Sequence, residues 1–269
     1  MAAISLIPRR VEKPWGSRGL SPWFADVPAS AEPVGEIWFE MPDGGDSDLL
    51  IKFLFTSEKL SIQVHPDDAG AQAAGYPRGK DEAWYVLDAE PHASIGLGLT
   101  HCVDRSELKA AAKDGSIESL IDWKRVSAGD AIYSGAGTVH AIGPGLAIIE
   151  VQQNVDLTYR LFDYGRPREL HLDAGIAVSN PEPWADVRQP RDLGDGRTLL
   201  AEGPAFTLER WTVSGRGLLS PSGPCWLVVL GSGEVWYLDA AIHWDFGVET
   251  LLLVAYPRHE AIARLWQPA

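Results

Sequence analysis

Cysteine is nearly absent: Cys102 and Cys225 are the only two in 269 residues, and neither belongs to a CxxC or Cys/His spacing. That excludes a disulfide framework and a cysteine-built metal site, and it fits reduced thiols in a cytoplasmic protein. Long apolar runs are missing too. Nothing approaches the ~18 residues of a membrane helix, and the opening MAAISLIPRR holds only a short apolar stretch before Arg9 and Arg10. Basic charge is the scarce sign, 23 Lys+Arg against 37 Asp+Glu for a net charge of -14. A nucleic-acid or anionic-membrane partner would meet a repulsive field, and neither is expected. With no Walker A or GxGxxG loop after a strand, no nucleotide or organic cofactor is implied.

What remains is an ordinary globular composition, 45% hydrophobic and 22% charged, in a chain long enough to bury its own core. Residues 48–60, DLLIKFLFTSEKL, read as strand and turn, and SIQVHP and EAWYVLDA as further strands. DDAGAQAAGYPRG suggests a short helix and a loop. The clearest helical stretch is DRSELKAAAKDGSIESLI, capped by Asp104 or Ser106 and broken at Gly115. Short β runs between Gly-rich turns follow, the pattern of an antiparallel barrel or jelly roll. SNPEPWADVRQPRDLGDG reads as a linker, after which AFTLERWTV, CWLVVLGSGEVWYL and ETLLLVAYP suggest a second, smaller β unit. The expectation is a mainly β fold: a jelly-roll barrel over residues 1–180 with a helical insert at 104–121, and a C-terminal β unit over 181–269. Trp15, Trp38, Trp84, Trp211, Trp226 and Trp236 sit in or beside strand-like runs, which favours core packing over sugar stacking.

On a strand, period-2 geometry sends Gln63 and His65 to one face. Glu82 heads a strand able to lie beside that one, and His140 starts another after the permissive Gly135 and Gly137. Taken singly, each has an ordinary structural role available. Together they offer two imidazoles, a carboxylate and an amide oxygen, a sensible set for one divalent ion. Zinc suits it best, with iron, manganese or cobalt as replacements.

QVHPDD, GKDEAWYVL, AGTVHAIGPG and EVQQNVDLTYRLFDYGR, in this order, resemble the signatures of the mannose-6-phosphate isomerases in their short bacterial form, a family of cupin fold. EKPWG and VGEIWFE resemble its N-terminal pattern, so the likeness spans roughly residues 11 to 173. It implies that Gln63, His65, Glu82 and His140 are metal ligands and that Arg160 in LTYR is the catalytic arginine. It puts acidic active-site positions at Glu150 and Asp156, and Lys80 near the sugar phosphate. Lys59 is a further substrate-binding candidate. The chain departs from the family at Val155, where a small hydroxyl residue is usual, and from the general cupin pattern at Gly135 and Pro144.

The resemblance thus implies an aldose-ketose isomerase, a monomer or small homo-oligomer, whose small sugar-phosphate substrate passes through an enediolate. Arg160 would supply fixed positive charge, and the base would be Glu150, Asp156 or a water on the metal. An isomerase of an unphosphorylated sugar and a non-catalytic sugar-binding cupin are the alternatives. Because the C-terminal stretch has neither a Q-x-H nor a G-x-x-H pattern, about one zinc-type ion per chain is expected. Elemental analysis of the purified protein checks this; two ions per chain, or full activity with none, would contradict it.

Overall fold

A computed structural model describes residues 3–20, 22–24, 32–185, 190–257 and 260–269. Antiparallel strands in four sheets dominate it. The first sheet has six, in the order Ile7–Ser17, Val34–Glu40, Leu49–Thr56, Leu146–Gln153, Glu82–Ala89 and Ala131–Ser134. The second has five: Tyr159–Phe162, Ile62–Val64, His140–Ile142, Ser94–Leu99 and Ile121–Arg125. Leu54, Trp84, Val86 and Ile148 from the first meet Leu97 and Ile142 from the second in one apolar cluster, which makes the two sheets the walls of a barrel.

A seven-stranded sheet is built from residues after 190, joined at one edge by Ile4–Ser5. Three strands, Ile242–Asp245, Arg216–Leu219 and Trp266–Pro268, face it across a cluster that includes Trp211, Leu227 and Trp266. The six-stranded sheet is therefore covered twice. Its other face, carrying Ile37, Phe53 and Tyr133, packs on Trp226 and Leu253 of the seven-stranded sheet and on Phe206, just before its strand Thr207–Val213. A sheet buried on both faces takes apolar residues at every position, and Leu49–Thr56 (LLIKFLFT) is buried throughout.

The helical insert matches its sequence signals. Asp104 accepts from the backbone N–H of Ser106 and Glu107 and caps the helix Arg105–Asp114, and Gly115 at φ 87 ends it before Ile117–Leu120. Asp67 caps the short helix Asp68–Ala73, accepting from Gly70 N at 2.8 Å. Several elements go beyond the sequence reading, two of them at the barrel. One is the helix Leu172–Val178; the other is Ile7–Ser17, which tolerates Pro8 and Pro14 because it is an edge strand with one neighbour. The strand headed by Glu82 does not lie beside Ile62–Val64; it stands in the opposite wall of the barrel. Of the linker expected after Asn180, residues 186–189 lie outside the described residues, and Arg191–Gly194 pairs with Arg197–Glu202 as a strand. No helix among the described residues is long and apolar enough to cross a membrane.

Phe206 is fully buried, its ring centroid 5.1 Å from that of Tyr133, where the two large sheets meet. Phe206→Ala is expected to destabilise the protein by about 3–5 kcal/mol, because the removed ring leaves a cavity between rigid sheets. Chemical denaturation of both proteins measures the difference.

Candidate metal centre and its cavity

Strand register sets the site. Across the six-stranded sheet Trp38, Lys52, Glu150 and Trp84 stand in one cross-strand row, pairing in that order. Their neighbours Ile37, Phe53, Val151 and Ala83 point into the core on the other face, so the row faces the barrel interior. From the opposite wall His140 and Arg160 both pair with Gln63, on either side of it. His65 follows immediately after its strand, and Glu82 is the first residue of the strand facing it.

His65, Glu82 and His140 converge, each offering one ligand atom, all within 4.8 Å of one another. His65 Nδ1 donates to Leu157 O and His140 Nδ1 to Thr138 O, both at 2.9 Å. A carbonyl can only accept, so each neutral ring carries its proton on Nδ1 and turns an Nε2 lone pair inward. Those Nε2 atoms lie 3.2 Å and 3.4 Å from the two oxygens of Glu82. Lys80 Nζ is 2.7 Å from Glu82 Oε1 as an ion pair, yet neither buried carboxylate oxygen receives a hydrogen bond of acceptable angle. Two oriented lone pairs and an unsatisfied buried carboxylate are the donor set a divalent cation requires. Gln63 completes the rim: its Nε2 is 3.3 Å from His140 Nε2 and its Oε1 accepts from Ser61, an orientation that a half-turn of the amide reverses.

Electrostatics agree. Burial, and then the charge of Lys80, push His65 down to about 3, so it is neutral at physiological pH. Burial also lowers His140. Glu82 is held well below the usual carboxylate range: burial opposes ionisation, but the charge of Lys80 leads the causes that outweigh it.

The triad lies against a cavity of about 340 Å³. Gln63, Lys80, Glu82, Glu150, Asp156 and Arg160 all line it; Lys59 does not, being paired instead with Glu118 and placed over the ring of Trp123. Glu150 accepts from Trp84 Nε1 at 2.9 Å and faces Lys52 Nζ at 3.1 Å. Burial and the neighbouring Glu82 raise its pKa against the pull of Lys52. Lys52 in turn stays charged, since Glu150, Glu36 and Glu82 outweigh its burial. Asp156 is exposed where it lines the cavity. Arg160 donates NH1 to Glu169 O, and its buried Nε has no partner.

Sequence reasoning missed Lys52, Glu36, Trp38 and Arg168, all of which line the cavity. A signal existed for Lys52, the one charge in LLIKFLFT. Trp15 and Trp38 also depart from a purely packing role, for both reach the cavity, with Lys52 4.6 Å above the Trp38 ring.

A two-walled antiparallel barrel is the cupin architecture, and the His, Glu, His cluster inside it is suited to a metal ion. The chain is 36% identical over 219 residues to a mannose-6-phosphate isomerase of Bacillus subtilis, covering 75% of this chain and 69% of that relative. It is 36% identical to the Streptococcus mutans mannose-6-phosphate isomerase over 69% of this chain and 61% of the relative. The crystal structure of the mannose 6-phosphate isomerase from Bacillus subtilis superposes with a TM-score of 0.77 at 25% identity, over 95% of this chain and 100% of that one. No family model matches the chain. The chain belongs to the mannose-6-phosphate isomerase family.

In the metal-free protein His65 binds its proton near 3 when folded but near the ordinary 6.5 when unfolded. Between those values the unfolded state holds more protons, so stability present above 6.5 falls as pH drops. The expected slope is about 1.4 kcal/mol per pH unit from this residue. Denaturant titrations of the chelated protein at a series of pH values measure it, and His65→Gln should flatten the slope by that amount.

Proposed function

We propose that this chain interconverts mannose 6-phosphate and fructose 6-phosphate through an enediolate. The observation that carries the reading is the pair of imidazoles locked by carbonyls with their lone pairs toward Glu82, which itself lines a cavity rich in lysine and arginine. His65, Glu82 and His140, with Gln63, would hold one divalent ion, zinc being the best match to two imidazoles and a carboxylate. Such an ion supplies Lewis-acid polarisation of the oxygens on C1 and C2.

The protein's own groups handle the proton. Glu150 is the proposed base: buried beside Glu82, its carboxyl is raised towards the range where it exchanges a proton readily. It removes the proton from C2 of the aldose and returns it to C1. Trp84 and Lys52 hold the two Glu150 oxygens in place meanwhile. Arg160 provides the fixed charge against the enediolate, and the exposed Asp156 takes part in binding at the cavity. Lys80, against Glu82, tunes the ligand set and meets substrate from there. Lys59, paired with Glu118 and outside the cavity lining, is given no part in substrate binding.

Residues 1–180 carry this chemistry in our reading, and residues 181–269 form the smaller unit that braces them; among the described residues there is no second His/Cys/Asp/Glu metal cluster. We place the enzyme in the cytoplasm as a monomer or small homo-oligomer. Neither alternative is favoured: the triad is intact, against a mere binding module, and the cavity's cations suit a phosphorylated sugar.

Coupled measurement of fructose 6-phosphate formation from mannose 6-phosphate, before and after chelation, tests reaction, substrate and metal together. Arg160→Ala should lower kcat by ~10²–10³ with little change in melting temperature. Arg160→Lys should remain impaired, because lysine keeps the charge and loses the planar fork; wild-type turnover in that variant would refute the geometric role.

A further inference from the structure

The cavity is electrically lopsided. Along its metal side three lysines face three carboxylates: Lys13 with Glu36, Lys52 with Glu150 and Lys80 with Glu82. Arg160, in register with Gln63, and Arg168 also line the cavity, and there the balance fails. Arg160 has no carboxylate within ion-pair distance among the described residues, and its Nε is buried without a partner. Arg168 has one, Asp163, which is buried and shared with Arg166. The two cavity guanidiniums are close enough that Arg168, after burial, is the next cause lowering the pKa of Arg160.

The way Arg168 is held matters more than its charge. Its Nε donates to Asp163 Oδ2 at 2.6 Å and its NH2 to Asp163 Oδ1 at 2.7 Å, a side-on pair that fixes the guanidinium plane. That pairing uses one edge of the fork. The NH1 donors are left over, on a side chain that remains about a quarter exposed (27%) and lines the cavity. A fixed planar cation with a spare edge, next to a second cation lacking a counter-charge, is an arrangement for an oxyanion carrying more than one negative charge.

We infer that Arg168 recognises the phosphoryl group of the substrate, that Asp163 is the positioning residue that aims it, and that this pair makes the enzyme selective for phosphorylated sugars. The inference rests on the sugar-phosphate reading above and extends it to residues that the sequence motifs did not assign. It also orients the substrate, with the phosphate towards Arg168 and C1–C2 towards Glu82 and Glu150.

Because the phosphate does not react, its contact should serve ground and transition states alike. Arg168→Ala in the metal-loaded enzyme is expected to raise KM for mannose 6-phosphate about 10- to 100-fold with kcat changed less than about 3-fold. Binding of inorganic phosphate, measured by calorimetry without turnover, should weaken in parallel. Arg168→Lys should fall between, and Asp163→Asn, which leaves the arginine but loosens its aim, should raise KM in the same direction. Wild-type KM and wild-type phosphate affinity in Arg168→Ala would overturn the inference. A wild-type enzyme that fails to convert mannose 6-phosphate would instead overturn the proposed reaction, and the calorimetric comparison would still decide whether Arg168 binds phosphate.

Discussion

The structure depends on one constraint, a six-stranded sheet buried on both faces. In such a sheet the period of two divides every strand between two interiors: one residue goes to the barrel and the next to the core behind it. Glu36, Lys52, Glu82 and Glu150 all fall on the barrel side. Register then lines up Trp38, Lys52, Glu150 and Trp84 across strands. Shifting any of these strands by a single residue would bury its charged group among Phe39, Phe53 and Phe206 and expose the barrel to an apolar side chain. The chemistry and the packing are therefore specified by the same alternation.

Glu82 is the point where that arrangement meets the opposite wall. A fully buried carboxylate is costly unless paired, and here Lys80 supplies the opposite charge while two imidazoles turn their lone pairs toward it. The histidines are oriented by loop and strand carbonyls, which place nitrogen lone pairs where a cation can use them. The metal set thus ties the two walls together across the barrel.

Much of this was readable in the chain, and the gaps have physical causes. His65, Glu82 and His140 stood out because polar residues at strand positions are rare and their chemistry is complementary. The capped helix Arg105–Asp114 announced itself through Asp104 and Gly115. Glu36 and Trp38 were hidden because double burial erases the apolar-polar alternation that reveals which face a residue takes, and the same loss left the lone charge of Lys52 without a face. Strand order is equally silent, and so Glu82 was expected beside Gln63 when it stands across from it. Arg168 lies just beyond the signature that ends at Arg166, and the helix after it has only seven residues and no side-chain cap. Its buried anchor, Asp163, is visible only once the loop is folded.

The shared core behind the catalytic sheet bears on how such a protein can evolve. Phe206, Trp226 and Leu253 touch no substrate, yet they form the surface on which the sheet carrying Lys52, Glu82 and Glu150 is laid. Natural selection for turnover at a new temperature can therefore act through them: small volume changes there alter the stiffness of the support without altering any reacting group. Lineages adapting to cold or heat would be expected to accumulate substitutions in this hidden layer sooner than in the cavity, where the charged groups face one another directly.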